Sequence, residues 1–138
     1  MDLRLTGTLA LVTGSTAGIG YATCEALVRE GARVIVNGRS KASVDAAVAR
    51  LDAIAPGLAS GFAGDLSPAA AAEDVARRFP AVEILVNNLG IFEPQAFEEI
   101  ADEEWERFFR VNVLSGIRLS RLYLAGMRQR NWGRIIFI

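Results

Sequence analysis

Three glycines that follow a short apolar run are the residues whose spacing best suits ligand chemistry. The segment LALVTGSTAGIG begins with a predicted strand, Leu9–Val12, and continues into a turn that carries Gly14, Gly18 and Gly20 before a predicted helix. Glycine lets the backbone approach an anion closely, and the unpaired N–H groups of a helix's first turn face such an anion. We therefore expect the turn to bind a diphosphate. The spacing is not G-x-G-x-x-G, and the alternative is a tight turn without a ligand.

The turn TGSTAGIG resembles the T-G-x-x-x-G-I-G turn of the short-chain dehydrogenase/reductase family. The resemblance implies a nicotinamide dinucleotide cofactor and hydride transfer between the nicotinamide and the carbon of a small alcohol or carbonyl substrate. In that family a tyrosine, its pKa lowered by a lysine four positions on, exchanges the substrate's proton. The turn residues expected to hold the cofactor are Gly14, Ser15, Thr16, Gly18, Ile19 and Gly20.

The end of the second predicted strand bears on the choice between NADP and NAD. An acidic residue here would bind the ribose hydroxyls of NAD, whereas an arginine accommodates the additional phosphate of NADP. The sequence has Asn37, Gly38 and Arg39, with no carboxylate to repel a phosphate. We therefore expect Asn37 and Arg39 to contact the cofactor and favour NADP, with NAD possible. The alternative is that Arg39 is a solvated loop cation.

The resemblance implies two further cofactor contacts at the ends of later strands. Asp65 and Leu66 stand where the family contacts the adenine ring, although Asp65 could also cap a turn before Ser67. Asn88 and Gly90 lie in N-N-L-G, which is similar to the family's N-N-A-G. The asparagine is expected to tie neighbouring strands together, and the glycine leaves room for the nicotinamide ribose.

Asn112 lies within the helical segment FFRVNVLSG, where asparagine is a poor helix former. We expect a buried polar role for it. The resemblance implies that this asparagine opens the helix slightly and holds a water in the proton relay, with Val111 beside the cofactor. The alternative is a structural hydrogen bond to a neighbouring loop.

The catalytic pair of the family is missing from these 138 residues. Tyr21 and Tyr123 are followed four positions on by Glu25 and Met127, and Lys41 is the sole lysine. We expect residues 1–138 to be a dinucleotide-binding domain that stops before the Tyr/Lys segment of a longer reductase and is inactive alone. The alternatives are a non-catalytic dinucleotide-binding sensor or partner subunit and, less well supported, a methyltransferase that uses S-adenosylmethionine.

Strands and helices alternate along the chain with short connections. This order predicts a three-layer α/β fold, a doubly wound, Rossmann-like parallel sheet of five strands. The last predicted helix, capped by Asp102, has an apolar side and a surplus of apolar residues beyond it. By resemblance the surplus would serve subunit pairing in a homo-oligomer, or it packs within one subunit. That apolar side comprises Trp105, Phe108, Val113, Ile117 and Leu124. The predicted strands are 9–12, 33–37, 58–64, 84–87 and 134–138, and the helices follow the glycine turn, Ser40, Ser67 and Asp102.

Composition excludes several classes of protein. The formal net charge is −1 and the basic residues are dispersed, so we expect neither nucleic acid nor a membrane surface as a partner. No apolar run approaches the roughly 20 residues that span a bilayer, and the N-terminus has no secretory pattern, which favours the cytoplasm. The chain has no histidine, so we expect no metal site and no Ser-His or Cys-His hydrolase. Cys24 is expected to be a small buried residue.

Overall fold

A computed structural model describes every residue from Met1 to Ile138 and contains one parallel sheet of five strands in the order β3-β2-β1-β4-β5. All four strand pairs are parallel. Because β1 is central, the chain winds outward to β3 and then returns to place β4 on the other side of β1. The carboxyl ends of β1 and β4 therefore flank the point where the winding direction changes. The strands are β1 Leu9–Val12, β2 Arg33–Gly38, β3 Ala59–Ala63, β4 Ile84–Asn87 and β5 Arg134–Phe137.

Helices cover both faces of the sheet, and alternate strand residues face opposite layers. Val12 packs towards the first pair of helices with Cys24 and Leu51. Leu11 packs towards the other layer with Val75 and Leu119. The predicted three-layer, doubly wound architecture is confirmed. The helices are α1 Gly18–Arg29, α2 Lys41–Asp52, α3 Ala69–Arg78, α4 Asp102–Phe109 and α5 Ser115–Gln129, with a short 3₁₀ turn over Phe97–Glu99 and a π-helical segment over Arg110–Leu114.

Two of the predicted helix caps are wrong. Ser67 does not cap α3: Pro68 occupies the capping position and no side chain caps that end. The backbone N–H of Ser67 donates instead to Asp65 Oδ1 at 2.9 Å. Asp102 does not cap α4: it is the first helical residue, following Ala101, and no side chain caps that end. Its carboxylate instead stands in an acidic first turn, where the helix dipole favours negative charge.

The predicted last helix is divided, and its buried side was predicted wrongly. The π-helical segment separates α4 from α5. Trp105, Val113, Ile117 and Leu124 remain 52%, 40%, 39% and 38% exposed. Small residues allow α5 to approach the sheet on a different side, since a Cβ added at Gly116 would lie 2.5 Å from Phe137. The side of α5 that faces the sheet is therefore set by where its side chains are small, rather than by where they are most apolar. The buried residues of α5 are Ser115, Gly116, Leu119, Tyr123 and Met127.

No helix of the structure combines the length and apolar character needed to cross a membrane.

Candidate functional site

A cleft of about 500 Å³ lies at the carboxyl edge of the sheet. The glycine turn forms one side, the ends of β2 and β3 form a second, and the loop after β4 forms the opposite wall. The sequence predicts that an adenine ring would lie at the second side. Predicted site residues that line it are Gly14, Thr16, Asn37, Arg39, Asp65, Gly90 and Val111. Lining residues that were not predicted are Ala17, Gly38, Gly64, Ser67, Leu89, Ile91, Phe92, Glu93 and Arg107.

The glycine turn is held against β2 by Ser15 and Asn37. The N–H of Gly14 donates to Asn37 Oδ1 at 3.1 Å, and the N–H of Ser15 donates to the Asn37 carbonyl at 2.7 Å. The Ser15 hydroxyl donates to Val12 O at 2.6 Å and accepts from the Asn37 N–H at 2.9 Å. Ser15 is fully buried, so it shapes the turn from behind rather than presenting its hydroxyl to a ligand.

The side-chain amide of Asn37 also crosses to the next strand. Its Nδ2 donates to Phe62 O at 3.1 Å and to Gly64 O at 3.0 Å. Asn37 is 1% exposed, so a carboxylate in its place would face two carbonyl oxygens without water. Asn37 therefore lines the cleft and also holds β2, the end of β3 and the glycine turn together.

The first turn of α1 presents free N–H groups. None of the N–H groups of residues 16–20 donates to an acceptor in the chain, and the first bond of the helix runs from Tyr21 N to Ala17 O at 3.1 Å. No side chain caps this end of the helix. Gly14 and Gly18 have φ of +59° and +57°, a backbone conformation that favours glycine. Unpaired N–H groups at a helix N-terminus are the kind of donor that binds an anion.

Asn88 locks the end of β4 to the glycine turn. Its Nδ2 donates to Thr13 O at 3.0 Å and to Gly14 O at 2.9 Å, and its own N–H donates to Thr13 Oγ1 at 3.0 Å. The predicted role in tying neighbouring strands is confirmed. The position of the Asn88 amide also explains why residue 20 is a glycine, because a Cβ added there would lie 2.6 Å from Asn88 Nδ2.

Several predicted contact residues lie outside the wall of the cleft. Leu66 is fully buried in the core beneath α3, so its side chain supports the cleft from behind. Ile19 lies at the start of α1 and is 64% exposed. Asp65 does line the cleft, and its Oδ1 accepts from Ser67 N, so the predicted turn-capping role is observed.

A polar recess lies next to the cleft, beside Arg39. It has a volume of about 510 Å³ and is lined only by Thr16, Arg39, Ser40 and Ser43. Ser40 caps α2 as predicted, since its Oγ accepts from Ser43 N at 3.2 Å. Arg39 forms none of the ion pairs of the chain. Its charge is therefore available to an anion in the recess.

Asn112 holds the loop that follows β4, and its burial was predicted wrongly. The side chain is exposed, in the π-helical segment, where the helix widens. Its Oδ1 accepts from Ile91 N at 2.7 Å, and its Nδ2 donates to Ile91 O at 3.0 Å. The structural hydrogen bond weighed as the alternative is thus present, and so is the helix opening that the resemblance implies.

A second anchor of this loop was not predicted. Arg107 donates from two nitrogens to the two carboxylate oxygens of Glu93, at 3.0 and 2.8 Å, and also to Glu104 at 3.1 Å. Hydrogen bonds and charge from Arg107 lower the pKa of Glu93, and Glu93 in turn raises the pKa of Arg107. The partners are 14 positions apart and meet only because of the path of the loop, so the sequence carries no signal for the pair.

Neither tyrosine of the chain lines the cleft, and neither does the lysine. Tyr21 is a buried residue of α1, with the Arg50 guanidinium 3.8 Å above the centre of its ring. Tyr123 donates to Val75 O at 3.3 Å, and burial raises its pKa. Lys41 pairs with Asp45 on α2. The cleft therefore offers groups for binding and positioning, and the family's proton-transferring residue types are absent from it.

Comparison with known proteins agrees with this geometry. The family model described as short chain dehydrogenase matches residues 8–138. The chain is 47% identical over 139 residues to the uncharacterized oxidoreductase YvaG of Bacillus subtilis, aligning over 100% of this chain and 53% of that protein. It is 44% identical over 137 residues to the D-beta-hydroxybutyrate dehydrogenase of Cupriavidus necator, over 96% of this chain and 52% of that protein.

A similar structure is that of L-sorbose reductase from Gluconobacter frateurii complexed with NADPH and L-sorbose. It superimposes with a TM-score of 0.90 at 33% identity, over 99% of this chain and 54% of that one. The chain thus spans about half the length of the curated relatives it matches. The match over residues 8–138, together with the glycine turn and the N-N-L-G segment at one sheet edge, shows that the chain belongs to the short-chain dehydrogenase/reductase family.

Proposed function

We propose that the chain binds a nicotinamide dinucleotide in the cleft and serves as the cofactor-binding portion of an oxidoreductase. The observation that carries this proposal is the set of free N–H groups over residues 16–20, which is suited to the pyrophosphate. When bound, the cofactor supplies a hydride acceptor or donor for an alcohol or carbonyl substrate. The related L-sorbose reductase was crystallised with NADPH, which supports the same class of cofactor here.

The residues along the cleft fit such a molecule from end to end. Asp65 would stand at the adenine, the amides of residues 16–20 at the pyrophosphate, and Gly90 and Val111 at the nicotinamide ribose. Gly90 is close to Asn112, since an added Cβ would lie 3.2 Å from Asn112 Oδ1, so a larger residue would narrow that end. Asn112 would keep Ile91 in place at the nicotinamide end of the cleft. We include in the proposal a role for Asn112 in a proton relay.

We propose NADP rather than NAD as the preferred cofactor. Arg39 is unpaired beside a recess lined only by polar residues, and the hydroxyls of Thr16, Ser40 and Ser43 surround it. A guanidinium and hydroxyl groups recognise a phosphate, and no carboxylate lines the recess to repel one. Arg39 thereby supplies the charge that distinguishes the two dinucleotides.

We also propose that residues 1–138 bind the dinucleotide without turning it over. No tyrosine or lysine lines the cleft, so no group of the family's kind is in place to move the substrate's proton. This absence equally favours a second candidate, a dinucleotide-binding sensor or partner subunit. The coding sequence distinguishes the two candidates: a tyrosine and a lysine four positions apart within roughly the next 30 residues supports the enzyme, as the family resemblance implies.

A homo-oligomer is the partner that we propose for the exposed apolar side of the α4 to α5 region. Trp105, Phe109, Val113 and Ile117 are each more than a third exposed, at 52%, 55%, 40% and 39%. Covering them against a second copy would remove apolar surface from water.

A pair of glycine variants tests the binding site. Gly18 and Gly57 have φ of +57° and +78°, and a Cβ at either would meet nothing within 4 Å. Alanine should strain both positions by a similar amount, but only Gly18 opens the helix that would bind the pyrophosphate. We expect Gly18→Ala to weaken NADPH binding about tenfold in a fluorescence titration, and Gly57→Ala to leave it unchanged. Equal affinities in the two variants, or no binding by the wild type, would contradict the proposal.

A further inference from the structure

We propose that Arg107 is a positioning residue, whose ion pair with Glu93 holds the cleft loop, residues 89–93, as a wall of the cleft and slows the release of the dinucleotide. The inference rests on the proposed function, because it concerns the same cleft. It assigns to Arg107 and Glu93 a role that acts through the loop rather than through contact with the cofactor.

The cleft loop depends on side chains for its position. All five of its residues line the cleft. No backbone-to-backbone hydrogen bond involves residues 88–95, so the sheet and helices do not hold this segment through their backbone. Backbone that lacks such bonds moves easily unless side chains restrain it. The restraints on the loop are therefore its side-chain bonds.

Three anchors are spaced along the loop. At its beginning, Leu89 N donates to Thr13 Oγ1 at 2.8 Å. In the middle, Asn112 bonds both polar backbone groups of Ile91, at 2.7 and 3.0 Å. At its end, Glu93 accepts two bonds from Arg107. Without the last anchor, Phe92 and Glu93 have no polar contact with α4. Phe92 is 86% exposed, so it has little packing to replace that contact.

The geometry of the ion pair suits a restraint. Two parallel bonds from a guanidinium to a carboxylate fix direction as well as distance, which a single bond does not. Glu104, one turn earlier on α4, takes a third bond from the same guanidinium and so orients Arg107 towards the loop. The three side chains connect the loop to a helix whose backbone is fixed.

The competing interpretation is an ordinary surface ion pair. Glu93 and Arg107 are 48% and 36% exposed, and exposed pairs contribute little to the stability of a fold. That weakness is compatible with the proposal, because the pair is required only to bias one short loop. The proposal therefore predicts an effect on loop motion and ligand release, with little effect on unfolding.

The test measures NADPH dissociation by stopped-flow fluorescence from the 138-residue chain. We expect Arg107→Gln and Glu93→Gln to speed release about threefold to fivefold each, and the double variant to go no further, because both changes remove one interaction. Arg107→Lys, which keeps the charge without the paired bonds, should lie between wild type and Arg107→Gln. The matched control is Arg77→Gln, which breaks an exposed pair with Asp74 on α3 and should leave release unchanged. Thermal unfolding of all variants should stay near that of the wild type.

A second readout needs no dinucleotide. Hydrogen exchange at the Ile91 amide, which is bonded to Asn112, should become faster in Arg107→Gln and Glu93→Gln but not in Arg77→Gln. If the wild type binds no dinucleotide, the proposed function fails and this exchange measurement still decides the anchoring role. Wild-type release rates in both single variants would overturn the inference. So would tighter NADPH binding in Glu93→Gln together with weaker binding in Arg107→Gln, which would make Arg107 a direct ligand.

Discussion

The asparagine side chains around the cleft form hydrogen bonds with backbone groups. Asn37 joins the end of β2 to the glycine turn and to the segment after β3, and Asn88 joins the end of β4 to the same turn. Asn112 holds the cleft loop. The amides of Asn37 and Asn112 donate and accept at once, and the two N–H groups of the Asn88 amide serve two carbonyl oxygens. The groups left for a ligand include the backbone N–H groups of residues 16–20, Arg39 and the hydroxyls beside it.

Arg39 is the residue that we propose determines the cofactor preference. We expect the wild-type chain to bind NADPH about tenfold more tightly than NADH, because a charge-assisted bond to phosphate contributes roughly 1.5–3 kcal/mol. Arg39→Gln should bring the two affinities together, mainly by weakening NADPH binding. The measurement is a titration of each variant with both nucleotides. Arg29→Gln, which alters an exposed arginine on α1 that pairs with Glu25, is the control. Equal wild-type affinities that Arg39→Gln leaves unchanged would remove the preference.

Cys24 makes stability depend on pH. It is fully buried, as predicted, and burial raises the pKa of its thiol from 9.0 to about 11, against a smaller lowering by a hydrogen bond with Ser15. The thiol loses its proton at a lower pH in the unfolded chain than in the folded one. Its contribution to the free energy of unfolding is therefore fully present below pH 9 and is lost as the pH rises towards 11. We expect a loss of about 1 kcal/mol between pH 8 and pH 10 in urea unfolding.

Tyr123 contributes in the same direction, because burial also raises its pKa. The Cys24→Ala variant should therefore retain only part of the pH dependence, and Cys24→Ala combined with Tyr123→Phe still less. An identical decline in stability for wild type and Cys24→Ala would contradict the assignment to the thiol.

At the scale of elements, the starts of the helices are set by small local bonds. Ser40 was correctly predicted to cap α2, whereas Ser67 follows an aspartate that has already bonded its N–H. Both serines precede apolar helical patterns, so the sequence signal is the same. The difference is where the helix begins: α3 starts after Pro68, so Ser67 lies one residue before the capping position.

These two serines provide a matched test of capping. Ser40→Ala removes an acceptor for Ser43 N and should cost about 1 kcal/mol of unfolding free energy. Ser67→Ala should cost much less, since its hydroxyl makes no hydrogen bond in the chain and its backbone N–H is retained. Urea unfolding of both variants at neutral pH measures the difference. Equal losses would show that Ser67 also acts as a cap in solution.

The exposed apolar side of α4 and α5 is the surface that we propose for pairing. Ile117 lies near the start of α5 and is 39% exposed. We expect Ile117→Glu to shift the sedimentation coefficient towards that of a monomer, because a charge would be buried in the pair interface. Ala49→Glu, on the exposed side of α2, should leave the wild-type species unchanged. A wild type that is monomeric at all concentrations would contradict pairing through this side.

At the scale of the whole molecule, the sheet and the glycine turn could be predicted because their signals are local. The apolar runs Leu9–Val12 and Ile84–Asn87 coincide with observed strands, and the turn follows the first of them. The buried side of α5 could not be predicted, because it depends on how closely Gly116 approaches Phe137 across the layer. The Glu93–Arg107 pair depends on a loop path that no periodicity encodes. Both features depend on long-range contacts, one between a helix and a strand and one between a loop and a helix, and local sequence patterns do not encode such contacts.

The proposed function depends on a dinucleotide pyrophosphate binding to the free amides that begin α1. The most direct measurement is an NMR titration of the ¹⁵N-labelled chain with NADPH, following the amide resonances of residues 16–20. We predict that these resonances shift most and saturate together with those of Arg39 and Gly90. Unchanged amides at residues 16–20 while NADPH perturbs another part of the molecule, or no perturbation anywhere, would contradict the account.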